Sequence, residues 1–407
     1  MSNIHLTIFI EKLKKSISSH FKLSLVTAFL LVSLPIQAEN IASVSLGDEL
    51  TIKSKVLNEE RTIVIHKPQG YDVTNDHYPV IYLLDGDHNL LYTAGITDYL
   101  QKNQLMPKVI VVAINNIDRV RDFTPTPSKE LYGMPQMGGA DKFLSFIAGE
   151  LKPLINKQYR TAPYSILAGH SYGGILSIYS QQVRPSLFNA HIAISPSIFY
   201  DERALIKSAE VFYKNDRTPP HFLYMTAANE YPEFVNSIKA YAEVLKLYAP
   251  DTMQWKLTNL PEETHLSSLH HGTFEGLKLL YKNWFIKDIA ALLVDGNLDS
   301  LKKYYQNLSS KFSYQIEPPS EMLIAAGYYF LANKRTDEAI EVFEINADRY
   351  ANSGSGFFHL AQAYQAKQQK KLAKQLTIKA CRIATQFKEL GSAMFCDRAK
   401  ALEQVNG

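Results

Sequence analysis

The sequence predicts an α/β fold with a mainly parallel sheet, followed by an all-α C-terminal region. Three observations carry that expectation. Short continuous apolar runs, such as Tyr78–Leu84 and Val109–Ile114, read as strands buried on both faces. Up to about residue 285 these runs alternate with helix-length segments, the pattern of a sheet covered by helices. After about residue 290 the strand signals largely vanish.

Taken in order, Ile52, Val56 and Thr62–His66 favour two strands, and Gly70, Asp72 and Asn75 mark a turn. Tyr78–Leu84 stops at Asp85-Gly86-Asp87, and a helix is expected over about 89–102. After Val109–Ile114, the stretch Asn115–Gly139 reads as a long polar loop, a length that usually signals function. Ala140–Lys157 is helical, and Tyr164–Ala168 is a strand. Further strands fall at Ala190–Ile194, Phe222–Thr226 and Gln254–Leu257. Helices are expected near Asp201–Lys214, Glu233–Leu247 and Ser268–Phe285.

The tail repeats itself at a period of about 34 residues. Gly327 aligns with Ala361, Phe330 with Tyr364, and Ala339 with Ala373. Small residues at such positions suit the close approach of paired helices, and the aromatics fill the groove between them. The pattern predicts a tetratricopeptide-like region that packs on the rest of the chain or on a second chain. The expected domains are a leader at 1–38, an α/β domain at 39–290, a helical connector at 291–317 and the repeats at 318–407.

The chain has 407 residues, room for two domains, and 43 Lys and Arg stand against 40 Asp and Glu. That balance gives no reason to invoke nucleic acid or an acidic membrane surface. At the N-terminus Lys12, Lys14, Lys15 and Lys22 precede the apolar run Leu23–Leu34, then Pro35 and Ala38. Basic, apolar and small residues in that order predict a secretory signal peptide cleaved after Ala38. The mature chain would be periplasmic or secreted, with no membrane span. Export permits a disulfide, and Cys381 and Cys396 are either paired or free buried thiols.

One stretch carries chemistry. Ile166-Leu167-Ala168 ends a strand, Gly169-His170-Ser171-Tyr172-Gly173 turns, and Ile175–Tyr179 begins a helix. This is the G-x-S-x-G pattern, in which a serine sits on a strained turn above a helix N-terminus. A serine hydroxyl is a weak nucleophile and needs a base, usually oriented by an acid. In this arrangement the acid and then the histidine follow the serine. His265, in a loop after the last strand, is the expected base. Glu230, beyond the strand Phe222–Thr226, is the expected acid; Glu233, Glu262, Glu263 or a dyad without an acid are the alternatives. An oxyanion would take the backbone N–H of Tyr172 and that of Asp87, with Gly86 giving the tight turn. The spacing of His265, His270 and His271 matches no zinc site, so neither metal nor cofactor is expected.

Together, Tyr82–Gly86, Arg119–Pro125, Gly169–Gly174 and Glu263-Thr264-His265 resemble the esterase D-like esterases. They are most similar to the IroE-like periplasmic siderophore esterases, over about residues 42–285. The resemblance implies an α/β-hydrolase fold and carboxyl ester hydrolysis, with Ser171 as nucleophile and His265 as base. It does not extend to the repeat tail. Arg119 and Arg121 either bind an anionic substrate, such as a ferric catecholate, or are pinned by Asp118 and Asp122. The expectation is an exported serine carboxylesterase acting on a small-molecule ester. Acyl transfer on the same fold, or a scaffold that binds a protein partner or itself through the repeats, are the alternatives.

Overall fold

The computed structural model describes residues 45–127, 137–215, 222–293 and 298–404. The leader expected at 1–38 lies outside them. From Leu46 onward the chain forms one compact unit.

Its centre is an eight-stranded sheet. The strands are β1 (Asp48–Ser54), β2 (Glu59–His66), β3 (Tyr78–Leu83), β4 (Ile110–Ile114), β5 (Thr161–His170), β6 (Ala190–Ile194), β7 (Phe222–Ala228) and β8 (Gln254–Leu260). Their spatial order is β1-β2-β4-β3-β5-β6-β7-β8. β2 runs antiparallel to both of its neighbours, and β3 to β8 pair in parallel. All six parallel strands therefore point their C-terminal ends at one edge, where a crossover fold places its ligands.

Alternation along the strands feeds two faces. Ile81 and Leu83 of β3 enter one core, and Val80 and Tyr82 enter another on the opposite face. Helix α1 (Gly86–Lys102) follows β3. The long loop expected after β4 contains a short helix, α2 (Arg119–Phe123), which the sequence reading did not foresee. Asp118 caps it, accepting the Arg121 N–H at 3.0 Å. A helical run follows as α3 (Ala140–Phe146), a π turn (Ile147–Leu151) and α4 (Lys152–Gln158). Then come α5 (Tyr172–Val183), α6 (Tyr200–Asn215), α7 (Pro232–Tyr248) and α8 (Ser268–Leu280). Helix α8 stops five residues short of the expected Phe285, because Tyr281 leaves helical geometry at φ −96° and ψ 22°.

The C-terminal region is α-helical: α9 (Ile289–Leu292), α10 (Asp299–Phe312), α11 (Ser320–Ala332), α12 (Thr336–Arg349), α13 (Gly354–Ala366), α14 (Lys370–Gln386) and α15 (Ser392–Gln404). Its small residues lie at close approaches. A Cβ on Gly327 would fall 2.3 Å from the Phe343 ring, and Ala339, Ala361 and Ala373 are buried. The two cysteines are paired: Cys381 on α14 is disulfide-bonded to Cys396 on α15.

This region is not a separate body. Tyr164 of β5 and Tyr281 pack on Phe312 of α10, with ring centroids 5.2 and 5.3 Å apart. One hydrophobic core runs from the sheet through these rings to Phe330, Phe343 and Phe395. Arg349 bridges the two parts, pairing with Asp76 at 3.0 Å and Glu317 at 3.7 Å. Among the described residues no helix is long and apolar enough to cross a membrane.

Candidate active site

β3 and β5 are adjacent parallel strands, and each ends in a sharp turn into a helix. At the end of β5, Ser171 takes φ 59° and ψ −116°, a conformation rarely open to a side-chain-bearing residue. Close packing enforces the motif's glycines: a Cβ on Gly169 would stand 2.3 Å from the Gly173 carbonyl oxygen. At the end of β3, Asp85 turns with φ 54° into α1. A Cβ on Gly86 would collide with the β4 backbone at 2.7 Å. Two helix N-termini thus lie side by side. The first backbone N–H groups of a helix have no intrahelical acceptor, and Tyr172 and Asp87 are the first and second residues of α5 and α1.

His265 and Glu230 come to the same edge. Glu230 follows β7, and its side chain is 3% exposed. The His265 Nδ1–H donates to Glu230 Oε1 at 2.6 Å. The Asn229 N–H donates to the Glu263 carbonyl at 2.8 Å and ties the two loops together. The Nδ1–Glu230 bond fixes the tautomer, leaving His265 Nε2 as the basic nitrogen. The His265 ring stands 4.5 Å from that of His170, the residue before the serine. Ser171 Oγ shares a hydrogen bond of 3.2 Å with Ser197 Oγ.

The other carboxylates near these loops are engaged elsewhere. Glu233 pairs with Arg203 at 2.8 Å. Glu263 accepts from Ser267 Oγ and lies 3.2 Å from His271 Nδ1. His191 is fully buried in β6, where desolvation pushes its pKa down to about 3.

The two arginines separate. Arg119 Nε and Nη2 bind the Asp85 carboxylate at 2.8 and 3.2 Å. Its guanidinium lies 5.5 Å from the Tyr172 ring centroid, and its side chain is 34% exposed. Arg121 does not join it at this edge. Its Nε binds Asp122 at 2.7 Å, and Nη1 and Nη2 bind Glu59 at 3.1 and 2.8 Å. Asp122 and Glu59 also hold the fully buried Arg61. This network clamps α2 onto the start of β2, and Asp122 drives the Arg121 pKa up.

Beside His265 stands an aromatic wall. Phe234 is 5.1 Å from the His265 ring, Phe199 is 5.2 Å from Phe234, and Tyr231 is 5.6 Å from Phe234 and largely exposed. A cavity of about 910 Å³ lies elsewhere, at the opposite edge of the sheet. Tyr78 and Thr161, the first residues of β3 and β5, line it together with Tyr305 and Arg349. It is a gap between sheet and helical region, away from the reactive side chains. Sequence reasoning missed His170, Ser197 and the Asp85 carboxylate, although His170 and Asp85 sit inside segments already singled out.

A strained serine between a parallel strand and a helix, with a histidine and a buried carboxylate at the same edge, defines the class: serine hydrolases of the α/β-hydrolase fold. Residues 54–241 match the family described as "Putative esterase", and the chain belongs to that family. It is a serine hydrolase acting on ester bonds. The ferri-bacillibactin esterase BesA of Bacillus subtilis is 31% identical over 219 residues, covering 49% of this chain and 71% of that protein. The siderophore enterobactin esterase of Emericella nidulans is 29% identical, over 35% of this chain and 53% of its own length. The crystal structure of an IroE-like serine hydrolase from Shewanella oneidensis superposes with a TM-score of 0.63 at 29% identity. That match covers 74% of this chain and 99% of the other.

Proposed function

We propose that the protein is an exported siderophore esterase that cleaves its substrate through an acyl-enzyme. The observation that carries this reading is the 2.6 Å bond from His265 to the buried Glu230 at the edge where Ser171 is strained. Ser171 Oγ turns from Ser197 to His265 Nε2 and attacks the ester carbonyl carbon. His265 takes the hydroxyl proton, and Glu230 stabilises the imidazolium. The oxyanion accepts from the N–H groups of Tyr172 and Asp87. Collapse of this intermediate breaks the ester C–O bond, and His265 gives its proton to the leaving alcohol. Water then attacks the acyl-enzyme, losing a proton to His265, and releases the acid and Ser171.

The substrate class follows from two features and from the siderophore esterases among the relatives. Arg119, held by Asp85 but partly exposed beside Tyr172, presents a guanidinium suited to an anionic group. Phe199 and Tyr231, backed by the buried Phe234, offer faces on which catechol rings stack. Residues 39–290 would carry the chemistry, with 291–317 as a connector and 318–407 as the repeat region, and α10 packs on the far edge of the sheet. A tetratricopeptide-like role for that region in binding a partner fits its helix pairs. Export through the leader, with cleavage after Ala38, agrees with the Cys381–Cys396 disulfide, a bond of oxidising compartments.

The test is turnover of catecholate trilactones, ferric and metal-free, beside simple aryl esters, with fluorophosphonate labelling. Wild type should label and hydrolyse trilactones fastest. Ser171→Ala should fail to label and lose about 10⁵–10⁶-fold in kcat. An unaltered rate in Ser171→Ala would end the acyl-enzyme reading. Faster turnover of simple esters would end the siderophore assignment. Mass spectrometry of the exported chain checks the start at Glu39.

A further inference from the structure

We infer that His170 is a positioning residue for His265, acting through the His265 main chain rather than its ring. The inference rests on the reading above, in which His265 is the base. The His170 Nε2–H donates to the His265 carbonyl oxygen at 2.7 Å, and the His170 side chain is buried. The same oxygen accepts from Ser268 Oγ at 2.8 Å. Ser268 Oγ in turn bonds Ser195 Oγ at 3.1 Å, and the Ser195 N–H bonds Thr226 Oγ1 at 3.0 Å. Ser195, Thr226 and Ser268 have no solvent exposure.

The residue bearing the base is therefore held at two points. Glu230 fixes the imidazole ring, and His170 and Ser268 fix the carbonyl behind it. His170 is covalently next to Ser171, so one hydrogen bond links the backbone of the nucleophile to that of its base. It sets their separation without touching substrate. The bond requires a proton on His170 Nε2 and so selects its tautomer. Burial also keeps the ring uncharged, lowering its pKa to about 4. The charged or titratable groups facing it are His265, which lowers the value further, Asp85, which raises it, and Arg119, which lowers it. When His265 becomes imidazolium, the ring 4.5 Å away is neutral and adds no like-charge repulsion.

The test compares His170→Leu with His170→Gln, reading kcat, KM and melting temperature on a p-nitrophenyl ester beside wild type. The glutamine amide reaches the position of Nε2 and keeps the donor, whereas leucine removes it. His170→Leu should lose about 10- to 100-fold in kcat with KM within about 2-fold, the size of a sub-ångström misplacement. His170→Gln should recover most of that loss. Ser268→Ala should cost about 3- to 10-fold, and its combination with His170→Leu should lose less than the product of the two effects, because both donors share one acceptor. Should His170→Leu not fold, His170→Asn, whose amide is too short to reach the carbonyl, takes its place. Wild-type kcat in the donor-less variant, or glutamine as slow as leucine, overturns the inference. Absence of turnover in wild type instead overturns the esterase reading beneath it.

Discussion

The two edges of the sheet are built by opposite rules. At the C-terminal edge, three adjacent strand ends carry residues with positive φ that are not glycine: Asp85 at 54°, Ser171 at 59° and Ser195 at 39°. Each such residue costs on the order of 1–3 kcal/mol. The groups there are polar, buried and joined by hydrogen bonds. At the N-terminal edge the groups are aromatic. Tyr164, Tyr281, Trp284 and Phe312 pack edge-on and tilted in a continuous apolar core. Under the proposed function, chemistry falls to one edge and stability to the other. Strain persists where the surrounding structure over-determines it, and the covered far edge supplies that rigidity.

That division can be broken from either side. After the loss of Ser171 itself, removing the carboxylate at the reactive edge should give the largest effect. Glu230→Ala should lower kcat by about 10³- to 10⁴-fold, the range seen when the acid of a triad is lost. Its midpoint in urea should move little. A change under about 10-fold would mean that Ser171 and His265 act as a dyad. At the other edge, Phe312→Ala should destabilise the fold by about 3–5 kcal/mol through lost burial and the cavity left behind. Esterase turnover per folded molecule should be unchanged. A specific loss of kcat there, with stability intact, would refute the division of labour.

Next in size is the disulfide. Replacing Cys381 and Cys396 together by serine opens a link with a sequence separation of 15. For a loop of that size the loss is about 3 kcal/mol. The loss should be local, because α15 is tied to the core by few buried side chains, Phe395 and Ala399 among them. Limited proteolysis should cut first near α15, while ester turnover persists. Uniform resistance to protease would show the bond to be dispensable.

Much of the candidate site was legible because its signals are local or ordered along the chain. Ser171 is flagged by glycines two positions away on either side. His265 and Glu230 follow it in the order the crossover topology imposes, each just past a strand end. The parallel strands are continuous apolar runs for the same reason that both their faces are buried. What was not legible depends on distant partners. Arg119 and Arg121 are two positions apart and look alike in sequence. Asp85 engages one, and Glu59 and Asp122 engage the other; Glu59 lies far upstream on β2. Pairing of Cys381 with Cys396 required knowing that α14 and α15 fold back on each other. Helix α2 was hidden because a five-residue helix leaves almost no periodicity. The second role of His170 was hidden because its acceptor is a backbone oxygen, which no residue type announces.

The smallest effect tests both edges at once, through protons. Among the described residues, desolvation keeps three histidines neutral in different places: His170 at the reactive edge, His191 inside the sheet and the half-buried His359 on α13. Burial is the first cause in each, and it holds their pKa values at about 4, about 3 and about 4, below the ordinary 6.5. A folded value below the unfolded one means that the unfolded chain binds more protons through the interval between them. Stability is therefore fully present above about pH 6.5 and falls as the pH drops, each histidine contributing up to about 1.4 kcal/mol per pH unit. The contributions of His170 and His359 are exhausted near pH 4, and that of His191 continues to about pH 3. His359 is the cleanest to remove, because it lies far from the proposed site, sharing a hydrogen bond of 2.8 Å with Tyr328 Oη through Nδ1 and stacking 6.0 Å from Phe343. His359→Asn, whose amide falls near the position of Nδ1, can keep that hydrogen bond while deleting the titration. Urea midpoints followed from pH 7 to pH 4.5 should then show an acid slope shallower by about one proton, with the kcat profile unmoved. An unchanged slope would mean that His359 is already free to take up its proton in the folded chain. The helical region would then be looser than the edge it covers.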